Sequence, residues 1–161
     1  MTTSADAWPL SGQLGLQLDA SEQWVADNIN AYRAQYGLAP LTISEQLRRP
    51  TMWGSLDSAT RTDGASPVDH THSRGMGIAQ RADLCGGHTG LIGEIEYGGE
   101  GGTADNPCYY GSGPAALEAW KNSPPHNALM LRGDFTTFGV GFAYLGVNAE
   151  SGSWTVMFGD H

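Results

Sequence analysis

The chain has 161 residues, enough for one domain and hardly for two, and carries a formal net charge of −9, from 8 Lys and Arg against 17 Asp and Glu. That balance leaves few cations to neutralise phosphates and excludes nucleic acid and anionic membrane surfaces as electrostatic partners. No apolar run reaches the ~20 residues of a membrane-spanning helix.

Residues 1–20 are polar with scattered Leu and Gly and read as an extended lead-in to a single domain over residues 21–161. The first residues lack the basic and apolar segments of a signal peptide, so the expected reading is a mature chain with an added Met1. Asp19 with Glu22 three residues later forms a capping-box pattern, and Trp24, Val25, Ile29, Tyr32 and Tyr36 recur at helical spacing until Gly37 and Pro40 stop the helix. Ser44 caps a second helix from Glu45, in which Pro50 predicts a kink or a short break before Met52, Trp53 and Leu56 resume the pattern. It dissolves near Thr62, Asp63 and Gly64, and a polar loop with His70, His72 and Ser73 follows.

Residues 78–84 suit one or two helical turns, and residues 91–97 a strand with Glu94 and Glu96 on one face and Ile95 and Tyr97 on the other. A Gly-rich loop over residues 98–113 holds Cys108, and 23 glycines in the whole chain point to many loops and tight turns. Pro114 at the first position opens a helix that continues over residues 115–122, and Ser123, Pro124 and Pro125 end it. Two strands, 139–144 and 154–158, joined by a Gly/Asn turn, complete the chain.

Cys85 and Cys108 have no CxxC pattern, which argues against a thiolate zinc site. They read as one disulfide or as two buried thiols. A disulfide would close a loop of roughly twenty residues, add about 3 kcal/mol in the chain-entropy view and place the protein outside the reducing cytosol.

Several stretches together resemble the bacterial branch of the CAP superfamily (cysteine-rich secretory protein, antigen 5, pathogenesis-related protein). Asn30, Arg33, Gly37, Leu38, Pro40 and Leu41 resemble its opening Asn-x-x-Arg and Gly-Leu-x-Pro-Leu signature. His70-Thr71, then Arg81 and Gly86, resemble its middle; Gly93-Glu94 its Gly-Glu-Asn motif; Trp120, Ser123, Pro124 and His126 its Trp-x-x-Ser-Pro-x-His. Phe138 to Gly141 and Trp154 to Gly159 resemble its closing strands. Five motifs in order cover about residues 22–159. The departures are Ile95 for the Asn after Gly-Glu, Leu129 for an Asn near the second His, with Asn127 close by, and Ser123 where the eukaryotic branch carries a second Glu.

The resemblance implies an α/β fold, an α-β-α sandwich with a central, mostly antiparallel sheet, and a secreted, extracellular protein. It implies that His70, Glu94 and His126 face one another across a cleft, with Glu96 and His72 as additional candidates. Two imidazoles and a carboxylate suit a divalent ion, Zn²⁺ first, with one position left open, and the same groups are able to move protons. His88 reads as an ordinary loop histidine, Glu118 as a solvated helix charge, and Trp120, Phe138 and Phe158 as core. Nothing marks Ser123 as a nucleophile. Three functions follow: a binding or effector module without turnover, whose partner is a small molecule, a lipid or an extracellular protein; a zinc-dependent hydrolase using the same cleft; or a lipid or sterol carrier.

Overall fold

The computed structural model describes residues 17–60, 70, 75–98, 112–143 and 153–161. The elements in chain order are α1 (Ala20–Gln35), β1 (Thr42–Ile43), α2 (Glu45–Thr60), α3 (Ile78–Gly86), β2 (Ile92–Gly98), α4 (Gly113–Asn122), α5 (Pro124–Met130), β3 (Thr137–Ala143) and β4 (Ser153–Gly159). Among the described residues the strands form one sheet in the order β1-β3-β4-β2. β1 lies parallel to β3, and the other pairs are antiparallel.

Strand alternation builds the layers. Ile95 on β2, Phe138 and Val140 on β3, and Trp154, Val156 and Phe158 on β4 share one face, where they pack with Val25, Ile29, Leu117, Trp120 and Met130 from α1, α4 and α5. The opposite face carries Met157, which packs with Leu47 of α2 and Ala82 of α3. The result is an α-β-α sandwich.

The second face is unusual in what it lacks. Gly139 and Gly141 stand where β3 would present side chains to α2, so the helix backbone rests directly on the strand. A Cβ at Gly139 would lie 2.5 Å from the Leu47 carbonyl oxygen and 2.7 Å from Thr51 Oγ1. Because the first of these neighbours is backbone, Gly139→Ala is expected to cost about 1–3 kcal/mol by overpacking. Urea unfolding should show it as a lower midpoint with an unchanged slope.

α2 runs through Pro50 as one 16-residue helix, without the break that the sequence predicts. Proline removes the N–H that would bond the Gln46 carbonyl. Gly86 packs so tightly over that carbonyl that no Cβ would fit there. Residues 78–84 also exceed expectation: α3 has nine residues and ends on Gly87 in the left-handed region, φ 74°. Ser123, Pro124 and Pro125 end α4 but also start α5, with proline at its first positions.

The residues of the opening motif are joints between elements. Asn30 pairs its side-chain amide with the backbone of Leu41, accepting from the N–H at 2.8 Å and donating to the carbonyl at 2.9 Å. Buried Arg33 donates to the carbonyls of Ala39, Met130 and Arg132 at 3.0, 2.8 and 2.9 Å. A cation at the end of α5 satisfies carbonyls the helix leaves open and complements its dipole. Tyr32 Oη donates to Asn127 Oδ1 at 2.8 Å, a second tie from α1 to α5. Asp19 and Glu22 form the expected capping box. Trp120, Phe138 and Phe158 are buried in the core, and Glu118 is exposed.

Residues 1–16 of the lead-in expected over 1–20, His72, Ser73, Cys108 and the turn between β3 and β4 lie outside the described residues, as do residues 99–111. The proposed Cys85–Cys108 pairing therefore falls outside what the structure describes.

Candidate metal centre

Strand β2 supplies both carboxylates. Its period of two sends Glu94 and Glu96 to the α2/α3 side, where each is no more than 4% exposed. β2 ends the described sheet, and α4 anchors it: Trp120 Nε1 donates to the Glu96 carbonyl at 2.9 Å.

His70 reaches these carboxylates from the loop after α2. Its Nδ1 lies 3.0 Å from Glu94 Oε1 and 3.5 Å from Glu96 Oε2. One ligand atom from each of the three residues falls within 4.8 Å of the others. His70 also takes φ 57°, the left-handed region that an L residue seldom adopts. Such a backbone costs about 1–3 kcal/mol and persists where surrounding contacts over-determine it, most often at functional sites. The two carboxylates are the contacts that hold it here.

Glu94 is tied from the other side by Arg81 of α3, whose Nη2 donates to Glu94 Oε2. One oxygen of Glu94 thus faces the guanidinium and the other faces His70. Arg81 is completely buried, and its Nε and Nη1 have no hydrogen-bond partner among the described residues. Burial lowers its pKa to about 10, opposed by Glu96, Cys85 and Asp57, so it stays charged at neutral pH. The Trp53 ring lies 6.0 Å from the guanidinium carbon, at the limit of a cation–π contact.

Burial pushes the Glu96 carboxyl above the usual range, opposed by His70, Arg81 and a hydrogen bond from Thr155 Oγ1 at 3.4 Å. A carboxyl with a raised pKa contributes stability below its unfolded value, and that stability is lost as the pH rises through the folded value. An added cation beside Glu96 would offset this cost at neutral pH.

His126 sits in the first turn of α5, half-buried. Burial lowers its pKa, His70 lowers it further and Glu96 opposes, so His126 lies within electrostatic reach of both groups. A depressed pKa keeps its imidazole neutral, the form that ligates a metal. The tight cluster is therefore His70, Glu94 and Glu96; His126 is not one of its three members and is linked to it by electrostatics from α5. Glu96 supplies a second carboxylate that the family pattern places elsewhere.

Arg81 was visible in the sequence only as part of a motif, and no spacing marks it as the partner of Glu94. His88 is not a solvated loop residue. It is 1% exposed, and it groups with Asp160 and His161 rather than with His70.

The donors fit a divalent ion in kind and number. Imidazole nitrogen and carboxylate oxygen are ordinary zinc ligands, and two buried carboxylates balanced by one arginine leave negative charge for a cation to offset.

A three-layer α/β sandwich with a histidine–glutamate cluster on the edge strand of the described sheet is the class that the fold defines. The profile of the Cysteine-rich secretory protein family, CAP, matches residues 26–158, and the chain belongs to that family. No curated protein sequence matches it. Among solved structures it is similar to an outer surface protein of Borrelia burgdorferi, with TM-score 0.66, 19% identity and coverage of 90% of this chain and 96% of that one. It is also similar to an extracellular protein containing a SCP domain from Bacillus anthracis, with TM-score 0.60, 22% identity and coverage of 86% of this chain and 40% of that one. A cysteine-rich secretory protein of Staphylococcus aureus gives TM-score 0.57 at 16% identity, covering 90% of this chain and 41% of that one. The chain thus spans about two fifths of the latter two proteins. Among the described residues no helix is long and apolar enough to cross a membrane.

Proposed function

We propose that this protein is a secreted CAP module whose cleft, formed by His70, Glu94, Glu96 and His126, binds a divalent metal ion, Zn²⁺ foremost, and works as a binding or effector module. The observation that carries this reading is His70 Nδ1 placed 3.0 and 3.5 Å from two buried carboxylates. Extracellular placement is supported by the outer-surface and extracellular descriptions of the structural relatives. When bound, such an ion would polarise an oxygen at its open position. The chain's own residues would orient it: Arg81 fixes Glu94, and Trp120 and Arg33 hold β2 and α5 in place.

A second reading, a metal-dependent hydrolase, gains from one observation. Glu96 is a buried carboxyl of raised pKa beside His70 and His126. That is the type of group that takes or gives a proton near neutral pH.

Calorimetric titration of chelator-stripped protein with Zn²⁺ tests the common premise. His70→Ala/His126→Ala is expected to lose one equivalent of zinc relative to the parent. Identical stoichiometry and affinity in both would refute the cleft as a metal site. A hydrolase would in addition lose turnover with chelator and regain it with zinc.

A further inference from the structure

At the sheet end where Ile92 pairs with Gly159, the segment before β2 runs beside the segment after β4. This places His88 next to Asp160 and His161, with one ligand atom from each lying within 4.8 Å of the others. His161 Nδ1 is 2.8 Å from Asp160 Oδ1, and His88 Nε2 is 3.8 Å from the same oxygen. The two imidazoles stack at 4.5 Å between centroids. We propose that His88, Asp160 and His161 form a second divalent transition-metal site, Zn²⁺ being the ion that this donor set suits best, separate from the cleft of His70, Glu94, Glu96 and His126.

Two independent features support a built site. The first is the backbone around it. A Cβ on Gly90 would collide with Asp160 Oδ1 and lie 2.5 Å from His161 Cε1, and a Cβ on Gly159 would lie 2.7 Å from His88 Cε1. In the present arrangement the three side chains occupy the space that a Cβ at either glycine would take. The second is His88 itself. Its Nε2 lies 3.1 Å from the Leu91 carbonyl, which only accepts, so Nε2 carries the proton. Its Nδ1 is buried and has no partner among the described residues. An ion at Nε2 would move that proton to Nδ1 and replace the hydrogen bond to the Leu91 carbonyl, so the coordinate bond has to outweigh that loss.

Asp160 is held as a carboxylate, its pKa lowered chiefly by a backbone hydrogen bond from Leu91. Two imidazoles and one carboxylate leave an open coordination position. A concavity of about 320 Å³ borders His88, lined by it together with Asp83, Thr89 and Gly90. The net charge of −9 raises the local cation concentration.

The test uses the full chain with its cleft disabled by His70→Ala/His126→Ala, titrated with Zn²⁺ while the histidine ring resonances are followed by NMR. One equivalent should still bind, shifting the His88 and His161 signals. Adding His161→Ala, at an exposed position that leaves the core intact, should weaken binding at least ~100-fold, and Asp160→Asn should weaken it by a smaller factor. The absence of saturable binding in the cleft-disabled chain, or binding unmoved by His161→Ala, overturns the proposal. The two sites are distinguishable because His70→Ala/His126→Ala removes one equivalent and His161→Ala the other.

Discussion

Glu22→Ala is expected to lower folding stability by about 3–5 kcal/mol, the range for removing one partner of a buried ion pair. Glu22 is 2% exposed and faces Arg48, itself 1% exposed. Its Oε1 accepts from Arg48 Nη1 at 2.9 Å and from the Phe142 N–H at 3.0 Å. Its Oε2 accepts from Arg48 Nη2 at 2.8 Å and from the Asp19 N–H at 2.9 Å. One carboxylate therefore caps α1, pairs with α2 and binds the backbone of β3. Arg48 Nη1 also donates to the Val140 carbonyl, so the pair joins the helical layers on both sides of the sheet. Alanine would leave a buried guanidinium without its counter-charge, a loss comparable with much of the ~5–15 kcal/mol that a domain has to lose. Glu22→Gln should fall between, because it keeps the shape and an acceptor but not the charge. Denaturant unfolding of both variants checks this, and a loss below about 1 kcal/mol for alanine would show the pair to be dispensable.

Arg81→Met is expected to have an effect of similar size but with different dependences. Without the guanidinium, Glu94 and Glu96 become two adjacent buried carboxylates with the His70 imidazole beside them. Removing a buried counter-charge costs about 3–5 kcal/mol near neutral pH. The Glu96 carboxyl, already raised by burial and held down in part by Arg81, then rises further in the folded variant, while that of the unfolded chain does not. The folded variant then keeps Glu96 protonated to higher pH than the unfolded chain does, so the penalty grows as the pH rises through the unfolded carboxyl range toward 7 and shrinks on acidification. Saturating Zn²⁺ should return part of the loss, because an ion that binds only the folded state stabilises it. Thermal unfolding at pH 5 and pH 7, with and without zinc, separates the outcomes. A loss independent of both pH and zinc would mean that Arg81 acts through packing alone.

Much of the fold is legible in the sequence because its signals are local. The Asp19/Glu22 box, the Gly37 stop and the apolar alternation of the last two strands each state their structure within a few residues. What escaped notice depends on distant partners. Pro50 predicts a break on local grounds, yet the helix continues, and the carbonyl that the proline leaves without its N–H is packed by Gly86, thirty-six positions later. The glycines predict loops, yet Gly139 and Gly141 lie in a strand and serve close packing against α2. Pro124 and Pro125 read as a stop, while a proline pair at a helix start is equally consistent with α5.

The site shows the same division. Alternation along β2 places Glu94 and Glu96 on one face, and that much follows from sequence. The meeting of His70 with both carboxylates comes from the fold, since 24 residues separate His70 from Glu94. Arg81 carries no pattern that names its partner. His88, Asp160 and His161 converge only because β2 and β4 are neighbours in the sheet, a pairing that no run of residues announces.

The most direct test of the central claim is the anomalous difference density of crystals grown with saturating Zn²⁺ and measured at the zinc absorption edge. The account predicts a peak in the cleft bonded to His70, Glu94 and Glu96 at about 2.0–2.2 Å, with His126 turned toward it. A zinc-loaded crystal with these side chains ordered and no peak between them would contradict it.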